Sequence, residues 1–134
     1  MRLSFILVEH SEIDIYIATE LIRRILDDAV VETFLTAEAA MDHIVLNQAP
    51  AAGRHLILLD LMMPGMGGFN FITLFETLPR RIRDKYRVVI VTSSMNKTDL
   101  QRLSKRRDVE MIIEKPLTGD KFKSLLAQLN IEVD

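Results

Sequence analysis

The sequence contains no cysteine, which removes disulfide frameworks, thiol nucleophiles and thiolate metal sites and fits a reducing compartment. No apolar run approaches the roughly 18 residues that a bilayer span requires. No secretory leader is expected either: one arginine precedes the short apolar run in MRLSFILVEHSE, but acidic residues follow at once and no small-residue cleavage site appears, so the segment reads as a first strand. A cytoplasmic location with no membrane partner is the expectation. Concentrated positive charge is also lacking, since the formal net charge is −2, so no basic footprint for nucleic acid covers the molecule. Two local basic clusters remain, Arg80, Arg81, Arg83, Lys85 and Arg87, then Lys105, Arg106 and Arg107. Both sit beside apparent helix ends or loops and read as solvated surface before they read as a partner patch. Internal repeats, low-complexity tracts and interdomain linkers are absent too.

What is present is a chain of 134 residues, 49% apolar and 27% charged, enough for one sizeable core and hardly two. A single domain over residues 1–134 is expected. Apolar, β-branched segments alternate with segments of helical period, the pattern of a parallel sheet covered on both faces. Leu3 to Val8 reads as the first strand. Ile17, Leu21, Ile22 and Ile25 recur at helical spacing between Ser11, a plausible N-cap, and about Asp27. Val30 to Phe34 reads as a second strand, and Thr36 can cap a helix carrying Ala37, Ala40, Met41, Ile44 and Val45. Pro50 and Gly53 mark a loop.

His55 to Leu59 is the buried central strand, ending in Asp60 and followed by the breaker-rich Met63-Pro64-Gly65-Met66-Gly67-Gly68. A third helix runs from Phe69 to Leu78, closed by Pro79 and the first basic cluster. Val88 to Val91, then Met111 to Ile113, are the remaining strands; Lys97 to about Lys105 is helical. After Lys115-Pro116 the last helix packs through Phe122, Leu125, Leu126 and Leu129. Five strands and five helices in alternation predict an α/β, flavodoxin-like, doubly wound parallel sheet of order 2-1-3-4-5.

Ligands of such sheets bind beyond the carboxyl ends of the strands, near the point where the winding reverses. Four strand ends deliver polar groups to that edge: Glu9-His10, Asp60, Thr92-Ser93 and, shortly after strand five, Lys115. Taken singly, each has an ordinary explanation, Asp60 as a turn or cap residue, Thr92 as a strand residue, Lys115 as a snorkelling surface lysine. Together they suit phosphoryl transfer. A carboxylate can attack phosphorus, and the negative charge spread over the equatorial oxygens must be met by a cation, a hydroxyl and backbone N–H donors.

The segment Leu56-Ile57-Leu58-Leu59-Asp60-Leu61-Met62-Met63-Pro64-Gly65-Met66-Gly67-Gly68 resembles the phosphoacceptor strand and loop of response-regulator receiver domains. Val91-Thr92-Ser93-Ser94 and Glu114-Lys115-Pro116-Leu117 resemble the other two signatures of that family, in order and at suitable intervals. The resemblance implies that Asp60 accepts a phosphoryl group, that the Thr92 hydroxyl moves to bond it and that Lys115 pairs with it. It implies Mg²⁺ held by Glu9, Asp60 and the backbone carbonyl of Met62. The implied donor is a sensor histidine kinase or histidine phosphotransfer protein, and the implied output is binding of a downstream protein whose identity the sequence does not carry. On this reading the chain is a stand-alone receiver. It modifies itself and turns over no external substrate.

Two positions depart from the family pattern. Where a second acidic residue ordinarily ligates Mg²⁺, this chain has His10, and an imidazole is a poor ligand for so hard an ion. Three consequences stay open: weakened Mg²⁺ affinity with Glu9 or water filling the gap, a preference for a softer ion such as Mn²⁺, or a His10 side chain turned away. In strand five, the aromatic residue that changes rotamer with the threonine in many receivers is replaced by Ile112, which is stiff and has no polar tip. Met95 is a candidate mobile element, although packing is its commoner use.

Two other functions compete. A pseudo-receiver would keep the fold and bind partners constitutively, a reading that His10 favours and that Asp60, Thr92 and Lys115 oppose. A flavodoxin-like cofactor protein or an aspartyl-nucleophile hydrolase is disfavoured, because Glu9 and Glu12 would repel a flavin phosphate and Met62 stands where a hydrolase has a second aspartate.

Overall fold

The computed structural model describes residues 3–46, 54–93 and 96–132. The expected loop at Pro50 and Gly53, and Met95, lie outside the described residues. Within them the elements run β1 (Leu3–Val8), α1 (Glu12–Ile25), β2 (Val30–Phe34), α2 (Ala37–Leu46), β3 (Arg54–Leu59), α3 (Gly68–Glu76), α4 (Arg80–Arg83), β4 (Tyr86–Thr92), α5 (Lys97–Ser104), β5 (Val109–Glu114) and α6 (Gly119–Gln128). All strand pairs are parallel and their order is β2-β1-β3-β4-β5, the predicted doubly wound topology.

The side chains of each strand alternate between two cores. Ile6, Val8, Ile57, Leu59, Val88 and Ile90 face α2 and α3, where Ala40, Ile44, Phe71 and Phe75 are buried against them. Phe5, Leu7, Leu56, Leu58, Val89 and Val91 face the other way, onto Ile22 of α1 and Phe122, Leu125 and Leu126 of α6. Burying such a side chain contributes about 1.5–3 kcal/mol. A one-residue slip of any central strand would exchange the two faces, so the packing fixes the register. The caps read from the sequence form: Ser11 Oγ accepts from the Asp14 N–H at 3.3 Å and Thr36 Oγ1 from the Ala39 N–H at 3.1 Å.

The described residues contain six helices where five were expected. Pro79 ends the region of α3 but also serves as N-cap of the single-turn α4, because a fixed φ and a missing N–H suit a helix start as well as they oppose a helix interior. β4 begins two residues before the predicted strand, with Tyr86 opposite His55. β5 is longer than the apolar triplet suggested because Glu110 is the extra residue of a bulge: Val88 pairs with Val109 and Val89 with Met111, and the ladder continues past it.

The basic clusters are also less purely solvated than expected. Arg83 donates to the Leu78 carbonyl at 2.9 Å and pairs with Asp108 at 3.6 Å. Arg106 donates to Glu76 Oε1 at 2.6 Å and to Thr73 Oγ1 at 2.8 Å, and Arg102 stacks on the Phe69 ring at 3.8 Å. Two arginines of the α5 region are thereby tied to α3.

Candidate functional site

At the carboxyl edge of the sheet the hydrogen-bond ladder extends one residue beyond the strands. Glu9 N–H donates to the Phe34 carbonyl at 3.1 Å, Asp60 N–H to Val8 at 2.9 Å and Lys115 N–H to Thr92 at 2.9 Å. Three of the sequence-predicted residues therefore have their backbones fixed by the sheet itself. Asp60 is 4% exposed, and its Oδ1 accepts the Met62 N–H at 3.2 Å, a bond that folds the loop back over the strand end. The loop then closes on α3 through Gly68 N–H to the Leu61 carbonyl, 2.9 Å. Gly65 supplies its turn with φ 74°.

Glu9, His10, Asp60, Met62 and Lys115 line one cleft of about 440 Å³, together with Ser11, Asp14 and Ser93. Lys115 Nζ donates to Glu9 Oε2, reaches Asp14 Oδ2 at 3.1 Å and lies 3.5 Å from Asp60 Oδ2. The other Glu9 oxygen, Oε1, accepts the Ser11 N–H at 3.1 Å and lies 3.4 Å from His10 Nδ1. His10 Nδ1 is 3.5 Å from Asp60 Oδ2. His10 has therefore not turned away: its ring nitrogen points between the two carboxylates, while its side chain is 48% exposed. Glu9, His10 and Asp60 together offer three ligand atoms within 4.8 Å of one another. Two carboxylates and an imidazole fit a divalent cation as a donor set.

Thr92 ends β4 fully buried, at 0% exposure, and by strand alternation its side chain shares the α3 face with Ile90, while Val91 and Ser93 line the cleft. Ile112 is half-buried against the core that contains α2 and α3. Asp14 was missed in the sequence; the available signal was its place three residues after the Ser11 cap, in the helix turn nearest the sheet edge.

Three carboxylates facing one ammonium leave the cluster short of positive charge. Burial pushes the Glu9 carboxyl up, with the Asp60 charge adding to it, against the opposing hydrogen bonds from Lys115 and Ser11. Burial alone would lower the Lys115 pKa, but Glu9, Asp60 and Asp14 outweigh it and hold the ammonium above the usual lysine value. A raised lysine pKa contributes stability that is fully present below the ordinary value of 10.5 and is lost as pH rises through the higher folded value. Stability to urea should therefore fall above about pH 10.5, and Lys115→Met should flatten that limb. The slope left in the variant belongs to Tyr86, whose phenol is raised by burial and by Glu32 and so acts in the same direction. An unchanged alkaline slope in Lys115→Met would contradict this assignment.

The response regulator receiver domain model matches residues 7–127. The chain belongs to the receiver domain family. Among solved structures, a response regulator receiver protein from Dyadobacter fermentans is 27% identical, with TM-score 0.83 over 97% of this chain and 99% of that one. A two-component response regulator from Cytophaga hutchinsonii is 23% identical, with TM-score 0.80 over 96% and 97%. The phosphorylated cyanobacterial phytochrome response regulator RcpA is 20% identical, with TM-score 0.78 over 99% of both chains. The last two show the shared fold alone. No curated protein matches the chain in sequence. Receiver domains interact with histidine kinases or phosphotransfer proteins and generally bind Mg²⁺. No described helix of this receiver is long and apolar enough to cross a membrane.

Proposed function

We propose that this receiver accepts a phosphoryl group on Asp60 from a sensor histidine kinase or a histidine phosphotransfer protein and is then bound by a downstream protein. The observation that carries the reading is the convergence on Asp60 Oδ2 of Lys115 Nζ at 3.5 Å, while Oδ1 holds the Met62 N–H at 3.2 Å. The carboxylate is oriented by one oxygen and leaves the other facing a cation inside the cleft. An Asp60 oxygen forms the new bond to phosphorus as the bond to the donor nitrogen breaks, and Lys115 meets the charge on the equatorial oxygens. Glu9, His10 and Asp60, with the Met62 carbonyl, would hold a divalent cation, which neutralises phosphoryl charge when bound.

Thr92 supplies the hydroxyl that moves to the phosphoryl group, from its buried start at the end of β4. With Ile112 on β5 no aromatic rotamer follows it, so the response runs through the loop after β4 and through α5. The protein modifies itself and turns over no external substrate.

The test is intact mass measurement after incubation with acetyl phosphate and a divalent cation. The wild type should gain one phosphoryl group and Asp60→Asn none. His10 beside Asp60 favours one second reading, a pseudo-receiver that binds its partners without modification. A wild type without adduct under every metal condition would select it.

A further inference from the structure

We infer that Glu9, His10 and Asp60 form a site that selects a divalent transition metal, of the series from Mn²⁺ to Zn²⁺, over Mg²⁺. The inference deepens the reading of the same cleft and rests on it for its functional meaning, since the ion would accompany phosphorylation of Asp60. Its basis is the position of one ring nitrogen. His10 Nδ1 lies 3.4 Å from Glu9 Oε1 and 3.5 Å from Asp60 Oδ2, long for N–H···O hydrogen bonds, which centre near 2.9–3.0 Å. Two ligand atoms on one ion at about 2.0–2.2 Å are separated by about 3.0 Å at an octahedral corner and about 3.4 Å along a tetrahedral edge. The observed separations match a shared ion better than direct bonding.

Each of the two oxygens has one other partner, Glu9 Oε1 the Ser11 N–H at 3.1 Å and Asp60 Oδ2 the Lys115 ammonium at 3.5 Å, and a carboxylate oxygen keeps a further lone pair for an ion. Glu9 divides its two oxygens, Oε2 to Lys115 and Oε1 to the side of His10. The Asp60 oxygen that faces His10 is not the one that accepts the Met62 N–H. His10 is half-exposed, so solvent or a phosphodonor can complete the coordination. Imidazole is a good ligand for Co²⁺, Ni²⁺ and Zn²⁺ and a poor one for Mg²⁺, which holds out for oxygen and near-ideal octahedral geometry. The surplus of carboxylates over ammonium draws any dication to the cleft; the nitrogen decides which one stays.

The test needs no phosphodonor. Calorimetric titration of the wild type and of His10→Asp with Mg²⁺, Mn²⁺ and Co²⁺ gives the affinity ratios, and the visible absorption of Co²⁺ reports whether nitrogen is in its coordination shell. Circular dichroism confirms that both proteins are folded. Because carboxylate sites also follow the transition-series order, the decisive quantity is the change in the ratio. The wild-type preference for Co²⁺ over Mg²⁺ should fall by about tenfold or more in His10→Asp, and the Co²⁺ spectrum should change with it. Equal ratios in the two proteins, an unchanged spectrum, or a wild type that binds no cation would each overturn the inference. Absence of a phosphoryl adduct on Asp60 with the metal preference intact would instead remove only the phosphoacceptor reading.

Discussion

Lys115→Met is expected to slow phosphoryl transfer to Asp60 by about a hundredfold to a thousandfold, the usual effect of removing one fixed donor from a developing oxyanion. Methionine keeps the length and flexibility of the stem, so the packing below the ammonium survives and the lost quantity is charge. The consequences are double. Glu9, Asp14 and Asp60, which Lys115 now contacts at once, are left as three carboxylates without their cation, which repels an anionic phosphodonor. The transferred group also loses its partner. Lys115→Arg should restore only part of the rate, because a planar guanidinium cannot replace a compact ammonium among three acceptors. The time course of intact mass with acetyl phosphate measures both variants. A rate equal to wild type in Lys115→Met would reduce the lysine to a counter-ion of Glu9.

Gly68→Ala should cost about 2–4 kcal/mol of stability, at the high end for one methyl group. A Cβ at this position would lie 2.7 Å from the Leu61 Cα and 3.0 Å from the Leu61 carbonyl oxygen. Both neighbours are backbone and cannot rotate aside. The clash falls on the segment that links Asp60 to α3, which Gly68 itself closes by donating to Leu61. Relief by outward movement would carry Leu61 and Met62 along and loosen the N–H that orients Asp60. Urea unfolding should show the lower midpoint, and phosphorylation under native conditions should be slower as well. A variant with wild-type stability would mean that the loop has slack that the packing around Leu61 does not suggest.

The sheet order and the two cores were legible because the strands are continuous apolar runs and the helices keep a clean period; nothing in Leu56 to Leu59 competes with a buried strand. The helix count was not, since Pro79 carries the signal for a stop and a start in the same ring. Strand ends at Tyr86 and Val109 were hidden for a related reason: edge and terminal residues pair through their backbones whatever their side chains. Within the site, the meeting of Glu9, His10, Asp60 and Lys115 followed from strand ends alone. Asp14 did not, because its contact with Lys115 spans 101 positions of sequence and depends on how α1 sits over the sheet edge. The burial of Thr92 was equally unreadable. A hydroxyl at a strand end faces cleft or core according to the parity of the register, which sequence spacing leaves undetermined.

The amides of Glu9, Asp60 and Lys115 are spent on carbonyls of adjacent strands, and solvent can exchange their protons only when those strands part. Exposing them requires separating strand ends, a costlier opening than the fraying of a surface loop. A switch driven by the proposed modification of Asp60 would not have its hinge at these three positions. Whatever moves in this receiver moves around a row of backbone that the sheet itself holds.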